Sequence, residues 1–374
     1  MARILHLIDE TAHDEAIGTL GLLMSHIPPP THEHWLGLIG CKRPPSLRAM
    51  PARTVRFGHR LGLSAVTSMP IRDLIEDHGI QLVHAWSASI AATARMAARK
   101  RCPVVAQLDA ISTRRRPDRG RCVCHESTTV RDCTTICPSR RLRERAVEAG
   151  ICEACCGVIR PAVDTRAIER IDGRFLRIKL GIAPNAPVLL TAPPPTRAGG
   201  HYYALWAAAI VQQLWPEVRV IMPGASTEAR RLVRFAESFR LPQMLVETDD
   251  RFAFVELLAI ADALVFPALD DVPTGAIGAA MTAGVPVVAS SVAAVKEYIT
   301  DGETGLLCEP AAPVELAACI NRILHDKPLA GRLSACAHAQ IGNQFDPARL
   351  VSNYRTVYDN LLAGQKAFDG MPVM

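Results

Sequence analysis

Short runs of consecutive apolar residues alternate along this chain with longer stretches in which apolar residues recur every three or four positions. Runs such as residues 188–190 and 263–266 are apolar throughout, which is typical of strands buried on both faces of a parallel sheet. The periodic stretches between them predict helices that connect and cover these strands. The pattern therefore predicts an α/β protein built from repeated strand–helix–strand units.

Two blocks of strands are predicted. The first comprises residues 3–9, 35–40, 54–58, 80–86, 103–109, 134–138 and 157–160. The second comprises residues 187–191, 218–222, 244–247, 263–266, 286–290 and 305–307. The clearest helical patterns are residues 71–78, 87–99, 204–214, 226–239, 254–261, 313–324, 329–341 and 347–362. Two blocks predict two doubly wound domains, and the last helix must pack on one of them.

We place the domain boundaries at 1–164 and 165–345, followed by a helix and tail over 346–374. The length of 374 residues suits two domains of ordinary size. The last helix has Leu350, Tyr354, Val357 and Leu361 at helical spacing. This apolar stripe needs a packing partner, so we expect the helix to return to the first domain.

Composition excludes several classes of protein. Apolar residues make up 49% and charged residues 21%, an ordinary globular balance. A formal net charge of +5 and only 5% aromatic residues do not indicate a nucleic-acid binder. The N-terminal apolar run is too short for a signal peptide, and no stretch is long enough to span a membrane. We therefore expect a cytoplasmic protein with reduced cysteines.

Three segments of the second half form a distinctive series. They are residues 261–271 (ADALVFPALDD), 280–290 (AMTAGVPVVAS) and 301–307 (DGETGLL). This series closely resembles the donor-binding domain of the group 1 (family 4) glycosyltransferases. In the first half, residues 80–86 and 103–109 resemble two strands of that family, and residues 158–164 resemble its interdomain connector.

The resemblance implies a GT-B fold, in which two doubly wound, Rossmann-like domains face a cleft. It implies transfer of a sugar from a nucleotide-sugar donor to an acceptor, with retention of configuration and without a metal or another cofactor. The first domain would hold the acceptor, and the sequence leaves a glycan, a lipid and a small molecule open. A nucleic-acid partner is not expected, and the sequence gives no support to the remaining option of peripheral membrane contact.

The segment from Thr274 to Gly284 is rich in glycine and alanine and predicts a helix whose N-terminus points into the cleft. The N–H groups around Thr274, Gly275 and Ala276 would suit a diphosphate. Gly275 and Gly278 would allow a ligand or a neighbouring backbone to approach closely. Tight packing of helix on sheet without a ligand remains the alternative.

Several residues that the family uses for the donor differ here. Of the family's two glutamates, the first corresponds to Asp271 and the second to Ala279, which cannot accept a hydrogen bond from a ribose hydroxyl. A ribose hydroxyl buried there without a partner would cost roughly 1–3 kcal/mol. The family's arginine and lysine fall on Pro194 and Gly199, neither of which is charged.

Replacements are available in the same loop. Arg197 would supply one cation from a shifted loop, or it is an ordinary surface arginine. Gly199 and Gly200 would offer backbone N–H groups, a weaker anion site. These departures leave two interpretations. The chain is a working enzyme with a rearranged donor site, or it is a non-catalytic relative that acts as a binding or partner protein.

In the first domain, Asp109 stands where the family often has a histidine near the reacting sugar carbon. A carboxylate at that strand end would act as an acid or base, or would bind a sugar hydroxyl. Its alternative is a helix cap or turn residue.

Seven of the twelve cysteines lie between Cys122 and Cys156. Cys152 and Cys155 have the CxxC spacing of zinc and redox sites, and Cys122 and Cys124 would complete a ligand set. The spacings match no standard zinc ribbon, and buried free cysteine is common, so no metal is expected. A metal- or redox-sensing protein is the third reading of the chain.

Overall fold

The computed structural model describes two compact units. The described residues are 2–9, 12, 14–27, 31–41, 47, 50, 52–58, 64–99, 101–108, 134–162, 171–193, 195–224, 226–238, 241, 243–248 and 252–371. Unit 1 consists of Met1–Pro161 together with Pro347–Met374, and unit 2 is Ala162–Asp346. The α/β architecture expected from the sequence is confirmed in both.

In the described part of unit 1, seven strands form one sheet. They are β1 (Ala2–Asp9), β2 (His32–Ile39), β3 (Arg53–Phe57), β4 (Leu82–Ala85), β5 (Val104–Gln107), β6 (Thr134–Cys137) and β7 (Cys156–Val158). Their order is β3-β2-β1-β4-β5-β6-β7, and neighbouring strands run parallel. The helices are α1 (Asp14–His26), α2 (Ser64–Asp77), α3 (Ala88–Ala98), α4 (Arg140–Glu148) and, from the end of the chain, α13 (Pro347–Leu362).

Unit 2 contains a parallel sheet of six strands in the order β10-β9-β8-β11-β12-β13. These are β8 (Val188–Thr191), β9 (Arg219–Pro223), β10 (Leu245–Thr248), β11 (Ala263–Phe266), β12 (Val287–Ser290) and β13 (Leu306–Cys308). The helices are α5 (Gly173–Lys179), α6 (His201–Val211), α7 (Thr227–Ser238), α8 (Phe254–Leu258), α9 (Gly275–Thr282), α10 (Ala293–Lys296), α11 (Pro313–His325) and α12 (Lys327–Ile341).

In each sheet the first strand of the unit lies in the interior of the strand order. β1 is paired with β2 on one side and β4 on the other, and β8 is paired with β9 and β11. The winding therefore reverses between β1 and β4 and between β8 and β11. In open parallel sheets a ligand binds beyond the carboxyl ends of the strands at such a reversal, so each unit offers one candidate edge.

Helix α13 packs on the sheet of unit 1 through a buried aromatic layer. The Tyr354 hydroxyl donates to the Gln107 side chain at 2.9 Å, and the Tyr358 hydroxyl lies 2.7 Å from Nδ1 of His84. Both tyrosines are fully buried. No described helix is both long enough and apolar enough to cross a membrane.

A chain of hydrogen bonds fixes the protonation of two buried histidines in the same layer. The Trp86 indole N–H donates to Nδ1 of His6 at 3.1 Å, so His6 carries its proton on Nε2. That nitrogen lies 2.9 Å from Nδ1 of His34, whose own Nε2 lies 3.3 Å from the carbonyl of Ile27. Both rings are therefore neutral, and burial lowers the pKa of each.

Candidate functional site

The edge of unit 2 is formed where the loop after β8 meets the loop after β11. The Leu269 N–H donates to the Ala198 carbonyl at 2.8 Å. Gly200 has a φ of +68°, and a Cβ at this position would lie 1.8 Å from the carbonyl oxygen of Pro267. Only glycine allows both the left-handed backbone and this close approach. The two loops thus form one continuous surface at the carboxyl ends of β8 and β11.

His201, the first residue of α6, anchors the loop after β8 from inside. Its Nε2 lies 2.7 Å from the Ala192 carbonyl, and its Nδ1 accepts the Thr196 N–H at 3.3 Å. Burial lowers the pKa of His201, which keeps the ring neutral with its proton on Nε2. The loop is also tied to the start of α7, because the Ser226 hydroxyl donates to the Pro195 carbonyl at 2.7 Å.

The two glycines of this loop use their N–H groups within the loop. Gly199 donates to the Thr196 hydroxyl at 3.0 Å, and Gly200 donates to the Arg197 carbonyl at 3.1 Å. The glycines therefore shape the loop in this conformation and do not direct these N–H groups toward a ligand. The Arg197 side chain is exposed, and no carboxylate among the described residues pairs with it. Pro194 lies outside the described residues.

Helix α9 begins at this edge with Thr274, whose own side chain does not cap the helix. Thr274 is its N-cap and is buried, but its hydroxyl makes no capping hydrogen bond to the helix. The Thr274 carbonyl accepts the Ile277 N–H at 3.0 Å, which starts the helical hydrogen bonding. Gly275 is buried and Ala276 is half-buried in the first turn. The N-terminal end of the helix dipole therefore lies at the carboxyl end of β11.

Two residues of α9 serve packing. A Cβ on Gly278 would lie 2.1 Å from the ring of Phe345, so the absent side chain makes room for this phenylalanine. The sequence interpretation of Gly278 as a place for a ligand or a neighbouring backbone is wrong on this point, since an aromatic side chain fills it. Ala279 is 3% exposed and belongs to the apolar core of unit 2.

Asp271 connects two loops of the same edge. Its Oδ1 accepts the N–H of Ala294 at 3.0 Å, at the start of α10. The N-cap residue of α10, Val292, has no side-chain acceptor of its own, so the carboxylate of Asp271 supplies one. Asp271 thereby holds the loop after β11 against the loop after β12, close to the first turn of α9 in sequence.

The edge of unit 1 carries a polar group that the sequence analysis missed. The Ser87 hydroxyl donates to Oδ1 of Asp9 at 2.8 Å, and the Ser89 hydroxyl donates to Oδ2 of the same carboxylate. Asp9 ends β1, and Ser87 precedes α3, so the group lies at the reversal between β1 and β4. The available signal was an acidic residue at the end of an apolar strand. Asp109 lies outside the described residues.

Two of the four cysteines considered as metal ligands lie among the described residues. Cys152 is half-exposed and Cys155 is buried, whereas Cys122 and Cys124 lie outside the described residues. Within the described ranges there is no group of three or more histidine, cysteine, aspartate or glutamate side chains placed to hold a metal ion. The expectation that no metal binds therefore stays a prediction, and the four-cysteine site stays its alternative.

Comparison with known proteins gives matches over both units. A family model described as Glycosyl transferases group 1 matches residues 173–340, and one described as Glycosyltransferase Family 4 matches residues 23–167. N-acetyl-alpha-D-glucosaminyl L-malate synthase of Bacillus anthracis is 23% identical over 205 residues, 54% of this chain and 53% of that protein. Glycogen synthase of Mycobacterium tuberculosis is 27% identical over 162 residues, 42% of this chain and 39% of that protein. The chain thus spans about half the length of these relatives or less.

Solved structures resemble the whole chain. The Anabaena protein Alr3699/HepE, solved in complex with UDP and glucose, has a TM-score of 0.78 at 18% identity and covers 96% of this chain and 100% of its own. A lipopolysaccharide-biosynthesis glycosyltransferase, WaaG, has a TM-score of 0.72 at 15% identity and covers 94% and 98%. These neighbours and the two parallel sheets establish the GT-B fold.

Proposed function

Since the chain belongs to the group 1 (family 4) glycosyltransferases, we propose that it transfers a sugar from a nucleotide-sugar donor to an acceptor. The observation that carries this proposal is the edge of unit 2. There, two loops joined through Leu269 and Ala198, an exposed arginine and the N-terminus of α9 lie at the reversal of a parallel sheet.

The donor diphosphate binds at this edge in our proposal. The dipole of α9, beginning at Thr274, Gly275 and Ala276, favours negative charge at its N-terminus. Arg197 contributes a full positive charge from the loop after β8. Together they would stabilise the nucleoside diphosphate as it leaves the sugar, because both interactions strengthen as negative charge develops on it.

Three residues hold this surface in shape. Gly199 and Gly200 fix the loop after β8, and Asp271 fixes the loop after β11 through its bond to Ala294. Ala279, enclosed in the apolar core, offers no acceptor to the ribose. We therefore infer that the chain distinguishes donors by base and diphosphate more than by the ribose hydroxyls.

The acceptor binds to unit 1 in our proposal, and the anomeric configuration of the sugar is retained. Asp109 is the proposed residue nearest the reacting carbon, as an acid or base or as a partner of a sugar hydroxyl. Asp9, with Ser87 and Ser89, forms the described part of the unit 1 edge. Neither a metal nor another cofactor takes part in the proposed reaction.

The test is calorimetric titration of the protein with UDP, GDP, ADP and their common sugar conjugates. UDP and UDP-glucose are the first ligands to try, since the Anabaena neighbour was solved with them. We expect a dissociation constant of roughly 1 μM to 1 mM for one nucleotide, in the usual range for enzyme substrates. A folded protein that binds no member of the panel would contradict the proposal.

Asp271→Asn and Asp271→Ala are the informative variants for the same titration. Asparagine keeps an oxygen that can accept the Ala294 N–H, whereas alanine removes it. If Asp271 acts by holding the loop, Asn retains most of the affinity and Ala loses it. Release of the nucleoside diphosphate with candidate acceptors then measures turnover.

A further inference from the structure

Helix α6 and the turn that follows it present apolar side chains to solvent. Tyr202, Trp206, Ile210 and Leu214 follow at intervals of four residues and are 40%, 44%, 36% and 68% exposed. We call these four residues the α6 stripe. No residue from 202 to 214 is charged. A surface helix of a soluble protein ordinarily shows charged residues on this side, so the stripe is an unusual feature.

The opposite face of α6 is already used for packing. Its buried residues are Ala204, Leu205, Ala207, Ala208 and Val211, which belong to the apolar core of unit 2. The stripe is therefore a second apolar face and is additional to the one that the fold requires. Tyr202 is held against Phe235 of α7, with ring centroids 4.3 Å apart, so the start of the stripe is fixed in place.

Helix α7, beside the stripe, adds positive charge. Arg230, Arg231 and Arg234 are exposed, and Arg231 is 3.2 Å from Glu228. Among the described residues no carboxylate pairs with Arg230 or Arg234. With Glu228 engaged by Arg231, the remaining acidic residue of α7 is Glu237 in its last turn.

We propose that the α6 stripe and the arginines of α7 dock unit 2 onto a lipid bilayer that contains anionic phospholipids. Tryptophan and tyrosine favour the boundary between headgroups and acyl chains, and isoleucine and leucine favour the apolar side of it. Unpaired arginines beside them attract anionic headgroups. Burying the stripe against a second copy of the chain would bring two sets of arginines together, so the charge favours the anionic surface. The inference does not depend on the proposed transferase activity.

Trp206 supplies a direct readout of this docking. The other tryptophans are less exposed: Trp35 is 4% exposed, Trp86 is fully buried and Trp215 is half-buried with its N–H bonded to Asn321. The full chain is mixed with phosphatidylcholine vesicles with or without phosphatidylglycerol, some with brominated acyl chains. We expect quenching of fluorescence by brominated lipid in the anionic vesicles, and loss of most of that quenching in Trp206→Phe.

Sedimentation with the same vesicles tests the remaining residues. Ile210→Gln with Leu214→Gln should lower the partition constant about tenfold or more, since two apolar side chains no longer enter the bilayer. Arg230→Glu with Arg234→Glu should remove the preference for anionic vesicles. The control is Met69→Gln, which replaces a side chain 58% exposed on α2 of unit 1 and should bind like the parent.

Three outcomes would overturn the proposal. One is absence of binding to anionic vesicles. Another is equal binding by the parent and the two double variants. The third is a dimer in sedimentation equilibrium that Ile210→Gln with Leu214→Gln dissociates, which would assign the stripe to a second copy. Nucleotide titration of each variant shows whether unit 2 remains intact, which separates docking from the donor site.

Discussion

The hydroxyl of Tyr358 lies 2.7 Å from Nδ1 of His84, although 274 residues separate the two in sequence. Tyr358 belongs to α13 and His84 to β4, so this contact joins the end of the described chain to the sheet of unit 1. Within the described part of the chain, Nε2 of His84 has no hydrogen-bond partner. Among the described residues, the Tyr358 hydroxyl is therefore the hydrogen-bond partner of the buried His84 ring.

Tyr358→Phe should lower the free energy of unfolding by about 1–3 kcal/mol, because it leaves a buried imidazole nitrogen without a partner. Urea unfolding followed by circular dichroism measures the change. Arg355→Ala is the control on the same helix, since its exposed pair with Asp359 contributes at most about 0.5 kcal/mol. Equal unfolding midpoints for Tyr358→Phe and the parent would show that the contact is not stabilising.

The buried histidines predict loss of stability in mild acid. Burial lowers the pKa of His34 to about 4 and that of His84 to about 3. In the unfolded chain both return to about 6.5, so below that pH the unfolded state binds more protons. The contribution of these two histidines to the free energy of unfolding should be complete above pH 6.5. It should decrease as the pH drops toward 4. Each histidine contributes a slope of up to about 1.4 kcal/mol per pH unit.

Urea unfolding at several pH values between 7.5 and 4.5 measures this slope. His34→Gln removes one of the titrating groups, so its pH dependence should be shallower by about one proton even though the variant is less stable overall. A parent protein whose unfolding free energy stays constant over that range would contradict the prediction.

Gly200→Ala should weaken nucleotide binding at least tenfold, because its methyl group would collide with the Pro267 carbonyl and separate the two loops of the unit 2 edge. The matched control is Gly181→Ala. Gly181 has a similar φ of +66° but nothing within 4 Å of the new methyl group, so it shares the backbone strain of about 1–2 kcal/mol without the collision. Titration calorimetry compares nucleotide binding by the two variants. Equal affinities would show that the contact between the two loops does not support nucleotide binding.

Gly278→Ala should destabilise unit 2 by about 1–3 kcal/mol, since the added methyl group meets the Phe345 ring. Gly331→Ala, within α12, meets nothing within 4 Å and should be neutral or stabilising by up to about 1 kcal/mol. The melting temperature should therefore be lower in Gly278→Ala than in the parent, and equal or higher in Gly331→Ala.

Arg197→Ala should raise the dissociation constant of the bound nucleoside diphosphate about tenfold and leave the unfolding free energy within about 0.5 kcal/mol of the parent. The side chain is exposed, so its contribution should also shrink as salt is added. Arg332→Ala removes an exposed arginine from α12 and should leave the affinity unchanged. Unchanged affinity in Arg197→Ala would show that Arg197 does not bind the diphosphate.

The strands could be predicted from the sequence because burial on both faces leaves continuous apolar runs. Ala263–Phe266 is identical to the predicted segment, and the other strands agree within a few residues at each end. Helices α1, α4, α5 and α10 were not among the predicted elements. Helix α4 has a strongly polar sequence with only Leu142 and Ala146 buried, so its apolar periodicity is faint.

The side-chain contacts of the sites could not be predicted, since they depend on strand neighbours. Asp271 meets Ala294 because the loops after β11 and β12 are adjacent, 23 residues apart in sequence. The link from Asp9 to Ser87 and Ser89 requires β1 to pair with β4. Neither contact can be predicted from the spacing of the residues in the sequence.

Unit 1 is divided into two segments of the chain, so it can be completed only after unit 2 has been synthesised. All of unit 2 emerges from the ribosome before α13, because Ala162–Asp346 precedes Pro347–Met374. Until then His6 and His84 lack the tyrosine rings that pack against them. Nascent unit 1 therefore exposes an apolar, histidine-bearing sheet face until α13 has been synthesised.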